Sequence, residues 1–572
     1  MRASGLTLLL LSATAATAVG CAAPDEWNNL SGGAKEDAAL AAPRQVSPLS
    51  VSLVSTARPR FRWELGEAMT GAVVELCKTR ACEGGPVKTY AASGRELVVP
   101  EDLERGIWFW RLRGRAEGRV GTQPSPTWEV LVRGPAAHGE SDAPTGSLLD
   151  YDGDGLADLI TVADVPAKPG VFDDFLPSAR GHAARTSNEI ETAKTVNDDD
   201  LITFVFVYLQ KPDGTYGEVM GDTVEPSWGI TYERLGDPTM TITGGTDFDG
   251  DGFSDYAHAG MDFEETKAGG VRHYVDIELG GAAGTEPRGS FILLPTSSSN
   301  TAVPTLGEGG DMNNDGYSDL FIAMPDQAFT ALGEHNQPGA AVTNVFWMRE
   351  SPSGSPAIFG GFDANADGLT DIVSSAAPSP NTIAIAVQGA YANRDQLKTL
   401  ELRPPNDLAK ASTASATTFT SGDFDGDGIA DLAYAISTEG RHMVCIARGD
   451  RAEWFGASAC FTAAPGEELG GSLASADLEG DGQDEILASL KVNGSYEVRT
   501  LKLVGDKLEA KAVGPKGAGL RLTTIHPGRP GPARWAASAA DQQAIFIFDG
   551  TELKQRLRAP VGITRGFGRA LR

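Results

Sequence analysis

Histidine, cysteine and positive charge are all scarce in this chain of 572 residues. Seven His leave little material for acid–base or transition-metal chemistry, and no His-Glu-x-x-His pair is present. Five Cys include no Cys-x-x-Cys, the spacing of zinc ribbons and dithiol redox sites. Neither a Gly-x-Ser-x-Gly elbow nor a phosphate-binding loop with its Lys is found. Lys and Arg number 48 against 77 Asp and Glu, a formal net charge of −29. A chain so short of cations is a poor nucleic-acid binder, and an anionic membrane surface repels it. Beyond the first twenty residues no run of eighteen apolar residues occurs, so no transmembrane helix is expected.

Turn formers, by contrast, are abundant: 69 Gly and 33 Pro. With 41% apolar residues the chain can bury a core, and its composition suits many short strands. Its length implies several domains or a repeat array.

Arg2 precedes an apolar stretch, Leu6 to Val19, too short to span a bilayer. The stretch ends Ala18-Val-Gly-Cys21 and resembles a bacterial lipoprotein signal, with Ala18 where that family usually has Leu. The resemblance implies removal of residues 1–20 and acylation of Cys21, which would anchor an exported protein at the outer membrane or cell surface. Plain secretion, or release into the periplasm, is the alternative. Residues 21–44 read as a polar, Ala-rich flexible tether. Without Cys21, four Cys remain, an even number that suits an oxidising compartment. Proximity suggests Cys77 with Cys82 and Cys445 with Cys460, although four Cys allow three pairings and could also stay free and buried.

Residues 45–134 carry alternating segments such as Arg60-Phe-Arg-Trp63, Ala72–Leu76, Ile107–Leu112 and Thr127–Val132, with turns between them. The pattern predicts a β-sandwich and resembles a fibronectin type III or similar immunoglobulin-like module. Trp63, Trp108 and Trp110 are expected in its core rather than on a sugar-binding face.

From residue 146 onward one nine-residue pattern recurs, Asp-x-Asp-x-Asp-Gly-x-x-Asp. The first loop offers Asp150, Asp152, Asp154 and Asp158, and the second Asp247, Asp249, Asp251 and Asp255. The third offers Asp311, Asn313, Asp315 and Asp319, and the fourth Asp363, Asn365, Asp367 and Asp371. The fifth offers Asp423, Asp425, Asp427 and Asp431, and the sixth Asp477, Glu479, Asp481 and Glu485. A hard cation such as Ca²⁺ takes six to eight oxygens at about 2.3–2.6 Å. Side chains at positions 1, 3 and 5 converge on one ion only if the backbone wraps round it, and Gly at position 6 permits that turn. Position 9 and a backbone carbonyl at position 7 complete the expected shell, with about six Ca²⁺ in all. An EF-hand would need Glu at position 12 and flanking helices, whereas strand-like runs such as Leu159–Val162 and Leu432–Ala435 follow these loops.

Successive loops begin 97, 64, 52, 60 and 54 residues apart, a period suited to propeller blades. The units resemble FG-GAP repeats of the integrin α-chain propeller, also called VCBS repeats in bacteria. Leu469-Gly-Gly-Ser-Leu473 echoes the Phe-Gly element, and Ala323-Met-Pro325 and Ala376-Ala-Pro378 echo the Gly-Ala-Pro element. The resemblance implies an all-β fold, a seven-bladed β-propeller over 146–572 behind the β-sandwich. A seventh loop, His526 to Arg534, keeps Gly531 in the expected place but has lost every ligand. Phe567–Leu571 echoes the element that opens a repeat and is expected to pair beside Gly146–Leu149, closing the ring.

The same resemblance places the metal loops on one face and a ligand on the other. It implies a calcium-stiffened binding or adhesion module for a protein or glycan partner. A polysaccharide-processing enzyme of lyase type and a structural partner in an envelope complex are the alternatives. No catalytic residue is assigned. Asp164–Asp200 reads as an insertion that either recognises a partner or is tolerated. Arg448-Gly-Asp450 is expected to be a strand-end turn, and His258, His273, His335 and His442 to pack or face solvent.

Overall fold

The computed structural model describes residues 35–54, 56–132, 149–166 and most of 201–572. In that last span the description leaves out 221–222, 226–227, 233–240, 264–270, 282–285, 295–302, 325–327, 336–341, 345–356, 376–382, 388–397, 403–414, 439–440, 453, 526–532, 561–562 and 564. Cys21, most of the Asp164–Asp200 insertion and most of the proposed seventh loop therefore lie outside the described residues.

Strands dominate throughout, and no helix among the described residues is long and apolar enough to cross a membrane. The N-terminal part forms a seven-stranded sheet and a three-stranded sheet, the latter from Arg44–Ser47, Arg60–Glu64 and Glu96–Val98. Alternation explains their shared core. Along Arg60–Glu64, Phe61 and Trp63 point inward and meet Val74, Trp108, Trp110 and Trp128 of the larger sheet. The Trp residues are buried, which leaves them no free face for a sugar.

The tether expected over 21–44 is too long. Lys35–Asp37 pairs in parallel with Arg119–Gly121, the Asp37 carboxylate lies 2.6 Å from Arg119, and Leu40 is buried. One buried Leu and one ion pair anchor a segment whose composition reads as linker.

Among the described residues seven sheets of three or four strands follow in chain order, and a two-stranded one, Glu218–Met220 with Thr223–Glu225, falls within the first in sequence. The first has three strands, Leu159–Pro166, Leu201–Tyr208 and Trp228–Tyr232. The other six are four-stranded antiparallel meanders, beginning at Thr241, Thr305, Ile358, Ser415, Glu467 and Leu522. From the second sheet to the seventh, the opening strand of each packs against the opening strand of the next. Apolar clusters lie between neighbouring sheets, so each sheet is covered on both faces.

The C-terminal residues complete the first sheet. Ile160 and Arg572 exchange backbone hydrogen bonds at 2.7 and 2.9 Å, and Thr161 bridges Leu571. The partner shown is thus Leu159–Pro166; of the expected Gly146–Leu149, only Leu149 lies among the described residues. The open edge of Leu159–Pro166 offers a ladder, and Phe567 and Leu571 are buried with Leu159, Phe206 and Ile545.

Candidate metal centres

The first nine-residue loop leads into the first strand of its sheet, and the other five end just before, or at the start of, the second strand of theirs. Its shape follows from short hydrogen bonds between its own Asp side chains and its backbone. In the first loop Asp150 Oδ2 accepts from Gly155 N at 2.8 Å, and Asp154 Oδ1 accepts from Leu156 N at 2.8 Å. Asp158 Oδ2 accepts from Tyr151 N at 2.7 Å, and its Oδ1 accepts from Gln210 N at 2.9 Å. The carboxylate at position 9 therefore ties the start of the loop to the far end of a neighbouring strand. Asp255 does the same for Phe248 and Gly280, Asp319 for Met312 and Gly333, and Asp431 for Phe424 and Gly449.

Two positions in each loop are left-handed. Position 6 is always Gly, as Gly155 (φ 77°) and Gly316 (φ 99°) show. Position 4 is Gly in four loops, but Asn314 (φ 64°) and Ala366 (φ 53°) hold it in the third and fourth. The sequence signal at position 4 was present, as Gly153, Gly250, Gly426 and Gly480, and the reading of position 6 alone missed it.

Three of the six loops gather acid oxygens at one point. One oxygen each from Asp150, Asp152 and Asp158 lies within 4.8 Å of the others, as do those of Asp247, Asp249 and Asp251, and of Asp423, Asp425 and Asp431. Asp150 is 1% exposed, and its Oδ1 has no hydrogen-bond partner. A buried, unsatisfied carboxylate oxygen is costly unless a cation meets it. Burial, with neighbouring carboxylates adding to it, pushes Asp150 and Asp431 up to about 8. Asp251, Asp311 and Asp363 rise to about 7 for the same reasons. The donors are all oxygens, which suits a hard divalent cation better than a thiophilic one. The residues therefore fit Ca²⁺.

In the third and fourth loops the position-3 amide bridges to position 5. Asn313 Nδ2 donates to Asp315 at 2.9 Å, and Asn365 Nδ2 donates to Asp367 at 3.0 Å. The sixth loop holds a basic group: Lys502 Nζ lies 2.6 Å from Glu479, 2.8 Å from Asp481 and 2.9 Å from Glu485.

Neighbouring loops are tied together through position 8. Ser254 N donates to Asp150 O at 2.8 Å, while Ser254 Oγ accepts from Asp150 N at 2.9 Å. Asp484 repeats the pattern on Asp423, with both contacts at 2.9 Å. Ala533, at position 8 of the proposed seventh loop, donates to Asp477 O at 2.8 Å.

Sequence reasoning missed how the N-terminal sheets sit on this face. Arg80 Nε donates to Gly250 O at 3.1 Å, and its Nη1 donates to Gly316 O at 2.6 Å. Ser50 Oγ donates to Gly316 O at 2.8 Å, and Arg44 Nη2 donates to Asp367 O at 2.7 Å. Backbone carbonyls of the second, third and fourth loops thus receive donors from residues more than 150 positions upstream. Leu49–Ser52 also borders a cavity of about 200 Å³ whose other walls include Thr246, Gly310, Thr420 and Thr523. Among its described lining residues only Asp158 and Arg572 are charged.

Other sequence features resolve differently. The Cys77–Cys82 and Cys445–Cys460 disulfides are both formed. Arg448 pairs with Asp506 at 3.0 Å and Gly449 N donates to Asp431, so Arg448-Gly-Asp450 is a strand end that helps hold the fifth loop. His258 and His273 are buried. His258 lies opposite Asp276 across two strands, and with Glu278 they bring ligand atoms within 4.8 Å. Strand alternation at Asp276 and Glu278 was the signal, but it names no cross-strand partner without the register.

An FG-GAP-like repeat matches residues 423–488, which span the fifth and sixth loops. No curated protein matches the chain. Among solved structures the chain is similar to the rhamnogalacturonan lyase YesW, at 11% identity and a TM-score of 0.35, over 91% of this chain and 93% of that one. It is similar to the exotype rhamnogalacturonan lyase YesX at 10% identity and a TM-score of 0.37, over 89% and 91%. A rhamnogalacturonan lyase of Bacillus licheniformis gives 11% identity and a TM-score of 0.33, over 93% and 95%.

Proposed function

We propose that the chain is an exported calcium-binding β-propeller of seven blades that serves as a binding or adhesion module for a protein or glycan. An acylated Cys21 would tether it to a membrane. The convergence of buried carboxylates in the first loop, with Asp150 Oδ1 left unsatisfied, carries this reading. Seven successive sheets, and the pairing of residues near 571 with Leu159–Pro166, support the closed ring.

The loop face is partly covered by the N-terminal sheets, so the opposite face is the better candidate for a partner. An enzyme would need acids and bases gathered at the ring's axis. The described cavity walls offer mainly Ser, Thr, Gly and aliphatic groups, which favours binding over catalysis.

Metal analysis and calorimetry test the proposal together. The purified chain should retain several Ca²⁺, chelation should lower its melting temperature, and Ca²⁺ should restore it better than Mg²⁺. At one hundred times Kd, each ion stabilises the folded state by about 2.7 kcal/mol. A metal-free chain that melts at the same temperature with and without Ca²⁺ would remove the calcium reading. A glycan array and a pull-down with the full chain would then sort glycan from protein ligands.

A further inference from the structure

We propose that the ammonium group of Lys502 is the resident cation of the sixth loop, which therefore takes no metal. This rests on the calcium reading of the other loops. Lys502 Nζ reaches Glu479, Asp481 and Glu485, at positions 3, 5 and 9, with contacts of 2.6–2.9 Å. Glu479 and Asp481 accept charge-assisted hydrogen bonds from the ammonium, and Glu485 Oε1 lies 2.9 Å from it as an ion pair. A divalent ion at the same point would be repelled by that charge at close range.

Strand register explains why this occurs in the sixth loop. The residue after position 9 has a cross-strand partner, and the residue after that partner stands beside the loop. In the first three sheets these pairs are Leu159 with Tyr208, Tyr256 with Glu278, and Leu320 with Ala331. The residue beside the loop is then Leu209, Leu279 or Leu332, none of which carries charge. In the sixth sheet Ile486 pairs with Leu501, and the next residue is Lys502. The fifth sheet pairs Leu432 with Ala447, which makes Arg448 the equivalent. Arg448 turns instead to Asp506 and Gly505 O, and stays 3.8 Å from Asp425. In the seventh sheet Trp535 pairs with Phe548, so Asp549 takes this place. There position 9 is Arg534, 3.8 Å from Asp549, so the charges are exchanged.

Position 9 of the sixth loop is altered to match. Asp158, Asp255, Asp319 and Asp431 give their second oxygen to a backbone N–H of the adjacent strand end. Glu485, one methylene longer, keeps the bond from Leu478 N at 2.9 Å and places its other oxygen in an ion pair with Lys502.

Calcium content, measured by mass spectrometry on the full chain after Ca²⁺ loading and desalting, tests the proposal. Three chains are compared: wild type, Lys502→Met and Asp481→Ala. Lys502→Met keeps the aliphatic stem, and it should bind one more Ca²⁺ than wild type and gain in Ca²⁺-dependent melting shift. Asp481→Ala should bind as many ions as wild type. The second variant decides the matter if the first fails to fold. A loss of one ion in Asp481→Ala, or a folded Lys502→Met with no added ion, would overturn the resident-cation proposal and leave the calcium reading standing. No calcium in any of the three would overturn both.

Discussion

At the scale of single residues, the loops store two kinds of unfavourable state. The first is electrostatic. Asp150 and Asp431 are pushed to about 8, chiefly by burial, and Asp311 and Asp363 to about 7. The unfolded chain loses these protons near pH 4, so between about pH 4 and 8 the metal-free folded state binds more protons. Stability must then fall as pH rises through that window. Melting of metal-free protein should therefore occur at higher temperature at pH 5.5 than at pH 8, and saturating Ca²⁺ should shrink or reverse the difference. The second is backbone strain. Ala366 is left-handed where four loops use Gly, and an L side chain there costs about 1–2 kcal/mol. Ala366→Gly should stabilise the chain by up to about 1 kcal/mol once the added freedom of the unfolded state is subtracted. Chemical denaturation would measure it.

At the scale of elements, the loop is the unit that the sequence specified best. Spacing alone gave its acidic positions, its turn at position 6 and the strand that follows. The clamp at position 9 was less legible, because its second partner is set by strand register. Gly449 is eighteen residues from Asp431 in sequence, yet its N–H lies 2.7 Å from that carboxylate. Lys502 escaped notice for the same reason, as a Lys on a strand reads as solvated until the strand beside it is known. Asp431→Ala should leave the Phe424 and Gly449 N–H groups without an acceptor. Two buried donors lost together should cost about 2–4 kcal/mol even in metal-free protein, which separates the clamp from the metal as a source of stability.

At the scale of the molecule, composition and period identified an all-β chain with a repeat array, but they could not place the N-terminal sheets. That placement depends on single side chains, of which Arg80 is the centre. Its guanidinium meets Glu129 at 3.0 Å, the carbonyls of Thr127, Gly250 and Gly316, and the ring of Tyr317. Arg80 and Glu129 are both largely buried. Removing one partner of such a pair costs about 3–5 kcal/mol, so Arg80→Met should destabilise by that order and loosen the N-terminal sheets from the loops. Small-angle scattering would register the loosening as a larger radius of gyration. Arg58→Ala, which breaks only the exposed pair with Asp102, should cost less than about 1 kcal/mol and leave the radius unchanged.

The pairing of Thr161 with the segment near Leu571 sets a timetable for synthesis. The hydroxyl of Thr161 donates to Ala570 O across 409 positions. A ribosome adding about 5–20 residues per second needs tens of seconds to cover that distance. Throughout that interval the edge of Leu159–Pro166 has no partner from its own chain, while later sheets, whose neighbours are local, can already form. The nascent chain thus carries an adhesive edge until the segment near Leu571 has emerged. A holding chaperone that shields this edge should raise the yield of folded protein more than one that acts only after that segment has emerged.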